Sequence, residues 1–277
     1  YMREKYNDPY LEQLANEYQQ ALYGGSYYRN GWYVPFSAAF VQETTIFREF
    51  GPLSGSTMRL AYEVSPGSGN NMLQWQSINT EARKYIKLGS SGLLATRAHF
   101  SRSWGKTPSF EYFGGNSDLR GYEYLEFSGQ NALYFNAELR YPLINAMATP
   151  FGVLGGVRGV FYFGLGGAWW DNQGYKFWTN KSETMTPVIG VGIDPDTGLG
   201  VPIYGEPINI SGFRLVDGRA SYGLGLETFV LGFPMHFDWS WRTLFDETQE
   251  NVTFAQYYGG AEEWRKPRFQ FWIGFDF

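Results

Sequence analysis

The last ten residues, Arg268-Phe-Gln-Phe-Trp-Ile-Gly-Phe-Asp-Phe277, alternate between apolar and polar side chains. Phe269, Phe271, Ile273, Phe275 and Phe277 form one apolar face. Arg268, Gln270, Gly274 and Asp276 form the other, with Trp272 as the only intruder. Successive side chains of a strand point to opposite faces, so this spacing predicts a β-strand. A free strand this apolar would template aggregation in water. A closed barrel in a bilayer accommodates it. Apolar side chains meet lipid, polar ones meet a wet lumen, and closure removes the edge.

The same period recurs upstream, over 32–48, 56–64, 94–101, 133–141, 161–169, 222–228 and 235–242, and less distinctly over the more polar 72–88. With the terminal segment this makes about nine strands, many of the length a tilted strand needs to cross a bilayer. Short connections at 142–150 and 230–234 alternate with long ones at 106–130, 171–211 and 245–267. Short turns on one rim and long loops on the other are the pattern of outer-membrane barrels, whose long loops face outward. Aromatic residues reach 19% (10 Trp, 21 Tyr, 23 Phe) beside 35 Gly, a supply that two aromatic girdles and many tight turns would use. A soluble β-sandwich can share that composition. The alternation of loop lengths is what favours the barrel. Segment 151–170 is interrupted by glycines and Arg158, and its large residues recur at period 2, so it reads as a strand rather than a membrane helix. Cysteine is absent, which excludes a disulfide scaffold and thiol chemistry. A net charge of -5 speaks against a nucleic-acid partner, which would want a basic face.

Residues 1–30 differ from the rest. Asp8-Pro9 resembles an N-cap followed by proline at the first helical position, and Leu11, Leu14, Tyr18 and Leu22 fall on one helical stripe that ends at Gly24-Gly25. The expected organisation is a water-exposed amphipathic helix and linker over 1–30, then a barrel portion over 31–277. No secretory leader is visible at Tyr1, so either one has been cleaved or the chain is part of something longer.

The long segment before the 133–141 strand reads Phe113-Gly-Gly-Asn-Ser-Asp-Leu-Arg-Gly-Tyr122. It resembles the lumen loop of the BamA/TamA family of outer-membrane insertase barrels (the bacterial surface antigen superfamily), with Gly114 and Gly115 leading to a Leu119-Arg120-Gly121-Tyr122 tip. Arg-Phe-Gln-Phe-x-Ile-Gly near the terminus is similar to the family's closing strand. The resemblance covers roughly 31–277 and implies the C-terminal part of a sixteen-stranded antiparallel barrel, its first strands and periplasmic domains lying outside this sequence. It also implies that loop 105–130 folds into the lumen and that Arg120 pairs with lumen-facing acids. Glu138, four residues before Pro142, stands at one of the family's acid positions and on the polar face. The second acid position falls on Gly164, which cannot ionise, so Arg120 is expected to rely on Glu138.

The function implied is insertion of proteins at the bacterial outer membrane through a lateral seam. Its partners would be outer-membrane lipids and unfolded β-barrel clients, with accessory lipoproteins or periplasmic chaperones beside them. Phe269, Phe271, Ile273, Gly274, Phe275 and Phe277 would serve as seam and assembly signal. A two-partner-secretion-type translocation pore or a passive channel stays open as the alternative. No cofactor or metal and no enzymatic activity are expected. His99, His236 and Asp238 supply polar groups, but no nucleophile motif accompanies them and two His without Cys make a poor metal set. Asp194-Pro-Asp-Thr-Gly198 resembles a cation loop without the full spacing or closing Glu, and reads as a surface turn.

Overall fold

A computed structural model describes residues 8–23, 31–48, 51–67, 72–149, 152–195, 198–230, 233–254 and 260–274. Helix α1 (Pro9–Tyr23) starts where the sequence places it, with Tyr10 N donating to Asp8 Oδ1 (2.8 Å). Nine strands then follow in meander order: β1 (Phe36–Glu43, prolonged by Ile46–Arg48), β2 (Gly51–Ser65), β3 (Trp75–Leu88), β4 (Gly92–Trp104), β5 (Asn131–Thr149), β6 (Gly152–Trp169), β7 (Arg219–Val230), β8 (Phe233–Thr243) and β9 (Arg268–Ile273). Each pairs antiparallel with its neighbours in sequence. Two short helices, α2 (Glu247–Phe254) and α3 (Ala261–Arg265), lie between β8 and β9. Among the described residues β1 and β9 each have one neighbour in this sheet, so both are edges.

Burial along the strands is inside-out relative to a water-soluble sheet. On β5, Asn136, Glu138 and Arg140 are buried while Phe135, Leu139 and Tyr141 are exposed. On β8, His236, Asp238, Ser240 and Arg242 are buried, and on β7 Leu224 and Leu226 are exposed. A polar inner face beneath an apolar outer wall is the arrangement a bilayer-spanning barrel requires. No helix among the described residues is long and apolar enough to cross a membrane, and the strands, up to 19 residues in β5, supply the spans.

Three expectations change. The turn expected at 142–150 is strand: β5 and β6 stay paired to Thr149 and Gly152, with a register shift between Pro142 and Ile144. Proline is tolerated at such a bulge because the ladder there already lacks a bond. The strand expected at 32–48 begins at Phe36 and breaks at Thr44-Thr45, where Gly55 of β2 (φ 109°) passes so close that a Cβ would lie 2.3 Å from the Thr44 carbonyl oxygen. The 171–211 connection is a ribbon. Val188–Ile193 pairs with Gly200–Tyr204, Glu183–Met185 with Ile208–Ile210, and Trp178–Thr179 with Arg214–Leu215. Its far turn is the Asp194–Gly198 segment, closed by Gly198 N donating to the Asp194 carbonyl (2.8 Å).

Candidate functional site at the loop tip and terminal strand

Between β4 and β5 the chain forms a small hairpin, Glu111–Phe113 against Phe127–Gly129, and its tip lies on the polar inner face. Gly114, Gly115 and Gly121 sit at φ 133°, 83° and 86°, conformations that L side chains rarely adopt. Leu119 and Tyr122 are anchors, both buried and packed with Phe113, Ala132 and Tyr134. Tyr122 donates its hydroxyl to the Ala220 carbonyl (3.0 Å), and burial pushes its phenol well above the ordinary range, so it remains a donor. The hairpin is also tied to the wall. Asn136 Nδ2 donates to the Asp118 carbonyl (2.6 Å), and Arg97 Nη1 reaches Ser117 O (2.9 Å) and Asp118 Oδ1 (3.4 Å). His99 Nε2 lies 2.9 Å from Glu111 Oε1. Burial alone would raise the Glu111 carboxyl, but His99 and Ser101 beside it hold it below the usual carboxylate range.

With both anchors seated, Arg120 is directed along the inner face. Its Nη2 lies 2.7 Å from Glu138 Oε1, and its guanidinium sits over the Tyr162 ring at 4.6 Å. Glu138 Oε2 takes Arg140 Nε (2.9 Å) and Nη2 (2.7 Å), so one carboxylate bridges two guanidiniums. The acid that Gly164 cannot provide comes from β8: Asp238 Oδ2 lies 3.6 Å from Arg120 Nε. At Gly164 itself a Cβ would sit 2.7 Å from Leu119 Cδ1 and 2.9 Å from Asn136 Oδ1. The missing side chain is the space that Leu119 occupies. Sequence reasoning placed Asp238 on the polar face but had no means of pairing it with a residue 118 positions upstream.

Asp238 also explains the intruder in the terminal strand. Trp272 points inward, donates Nε1–H to Asp238 Oδ2 (2.8 Å) and stacks on His236 with ring centroids 3.7 Å apart. His236 Nε2 in turn donates to the Gly274 carbonyl (2.8 Å). The loop tip touches β9 directly as well, through Gly121 N to Gln270 Oε1 (3.4 Å) and Arg268 Nη1 to Glu123 Oε1 (2.5 Å). Loop motif, Glu138 and the inner face of β9 therefore form one cluster. Phe269, Phe271 and Ile273 lie on the opposite, outer face, where Phe269 meets Trp239 (5.1 Å) and Phe271 meets Phe237 (5.2 Å). Phe275 and Phe277 fall outside the described residues. His99 on β4 and His236 on β8 are four strands apart and share no site.

The closeness of Gly121 to β8 makes a prediction. A Cβ there would stand 2.8 Å from Ser240 Cβ, on backbone at positive φ. Gly121→Ala is expected to destabilise loop docking by about 1–2 kcal/mol, the cost of the left-handed conformation alone, before any clash. Faster trypsin cleavage of the loop in the folded protein, compared with wild type, is the readout. An unchanged rate would show that the tip does not need this approach.

An apolar outer wall, a buried polar inner face and a loop folded onto that face define an outer-membrane β-barrel. The chain belongs to the Omp85 superfamily, whose domain matches residues 13–277; these are outer-membrane proteins of insertion and translocation. Among solved structures, BamA from Haemophilus ducreyi lacking POTRA domains 1–3 has a similar fold, with TM-score 0.51 and 16% identity, covering 86% of this chain and 41% of that one. The chain thus spans less than half the length of that relative. No curated protein matches it.

Proposed function

We propose that this chain inserts proteins into the outer membrane and that β9 is the strand to which a client adds. The observation that carries the reading is the way β9 is braced. One edge is bonded to β8 from Ser240↔Arg268 to Met235↔Ile273, and its inner face is held by the loop tip and by the His236–Trp272–Asp238 contacts. By the family resemblance its other edge faces the seam with the barrel's first strand, which lies outside this sequence. A strand at such a seam offers backbone donors and acceptors beside an apolar outer face, which is what an incoming strand needs for β-augmentation in lipid. Gly274, next to the strand's end, carries no side chain to pack and weakens the seam. The loop cluster acts as the brace that fixes the strand while its edge exchanges partners. The partners of this reading are bilayer lipids and unfolded β-barrel clients, with accessory lipoproteins or periplasmic chaperones delivering them, and it needs no cofactor and no enzymatic step.

A photo-reactive phenylalanine analogue tests this at Phe271, which faces outward on β9, with Leu224 on β7 as an equally outward control. Newly made β-barrel proteins are expected to cross-link at 271 and not at 224. Equal yields at both positions would overturn the seam. Adducts arising only from an inner-face position such as Tyr85 would favour the translocation pore instead.

A further inference from the structure

The outer wall carries a second feature that the seam does not use. At the long-loop rim, the base of the 171–211 ribbon and the start of the β8–β9 connection fold over the wall and enclose a groove of about 810 Å³. Its floor is Leu133 of β5 with Phe163 and Leu165 of β6, all on the bilayer-facing side. Its roof includes Trp178, Phe213 and Phe245, each more than 40% exposed, in a run of rings: Trp178–Phe213 at 5.7 Å, Phe213–Phe245 at 5.8 Å, and Phe245 back to Phe163 of the floor at 6.3 Å. We infer that this groove holds an acyl chain of an outer-leaflet lipid, threaded between the wall and the ribbon.

Four observations carry this. The size falls within the roughly 300–1,000 Å³ of small-molecule sites, and the lining is Leu, Phe, Trp and Tyr throughout. Water would find few of the two to four polar partners that an ordered molecule needs there. The floor is continuous with the lipid-facing wall, so a chain enters from the bilayer by lateral movement, without crossing a polar rim. Finally, Phe245 adopts φ 66°, unusual for a bulky residue, and is held there by its own N–H donating to Thr243 Oγ1 (2.8 Å) while Leu244 N donates to Glu250 Oε1 (2.8 Å). Strain of that kind persists where the surroundings impose it, and here it aims a ring into the groove. A client strand is the wrong occupant. β5 and β6 are bonded on both sides, so the groove presents side chains and no free backbone ladder.

The test uses the full chain in vesicles of dimyristoyl phosphatidylcholine doped with a phosphatidylcholine that carries a diazirine part-way along one acyl chain. After irradiation, adducts are mapped by mass spectrometry. Labelling at Leu165, Trp178 and Phe213 is expected to exceed that at Leu224 and Leu226, which face the same bilayer without a roof, by several-fold. Leu165→Trp, which fills the groove, and Phe245→Gly, which releases the strained ring, are each expected to bring it down to the Leu224 level. Groove labelling no higher than the open wall overturns the inference. So does labelling that survives both substitutions. None of these readouts depends on client insertion.

Discussion

Glu138→Gln is expected to cost about 3–5 kcal/mol, the range for removing one partner of a buried ion pair. Glu138 is 2% exposed, and it neutralises Arg120 (7%) and Arg140 (2%) together. Glutamine keeps the volume and one acceptor oxygen but removes the charge that two buried guanidiniums share. Asp238, 3.6 Å from Arg120 Nε and already accepting Trp272, can compensate for only part of that charge. The urea midpoint of the folded barrel should fall. Trypsin, shielded from Arg120 while the loop is docked, should begin to cut after it. Glu123→Gln is the matched control, because Glu123 pairs with Arg268 but is exposed, and pairs of that kind contribute about 0–1 kcal/mol. If the two variants behave alike, Glu138 does not hold the loop.

Gly164→Asp is the second large effect, and its sign runs against the resemblance. The family pattern places an aspartate here, where it would meet the arginine of the loop. In this chain the site is filled: a Cβ at 164 would lie 2.7 Å from Leu119 Cδ1 and 2.9 Å from Asn136 Oδ1. Leu119 is fully buried, so its methyl can yield only by repacking against Phe113, Tyr122 and Tyr134. Overpacking of this kind costs about 1–3 kcal/mol, and the new carboxylate adds a desolvation penalty that no free cation repays while Arg120 stays on Glu138. Leu119→Ala alone is expected to lose about 2–5 kcal/mol through the cavity it opens. Together the two changes should cost less than the sum, because the aspartate enters the space the leucine vacates, with a coupling of about 0.5–3 kcal/mol. Strict additivity in urea unfolding would show that residues 119 and 164 do not share that space.

Much of the wall was legible from the residues. Period-2 alternation located the nine strands and, in all but the polar 72–88 segment, their inner and outer faces, because it is a local property that each strand must satisfy on its own. Where the pattern was interrupted, the reading failed for identifiable reasons. Pro142 breaks the alternation as a turn would, yet it sits at a bulge within a continuing ladder. The Val188–Ile193 and Gly200–Tyr204 ribbon alternates too, around an Asp-Pro-Asp-Thr-Gly turn, and that signal could have revealed it. Trp272 was visible as an exception but not as a contact.

Sequence by itself determined the barrel class, most of the strand faces and the loop motif, since each rests on neighbours in the chain, while Glu138 as a partner for Arg120 followed from the family resemblance. Only the tertiary structure decided that Asp238, far along the chain, joins Arg120 to Trp272 and so connects the loop tip to the terminal strand. It also decided that Gly164 is glycine because Leu119 needs the room, and that rings from the ribbon roof a groove on the outer wall. The physical reason is the same in each case. Alternation states which side of the wall a residue faces, but the neighbour it meets there is set by register and by the folding-back of loops, which no local period encodes.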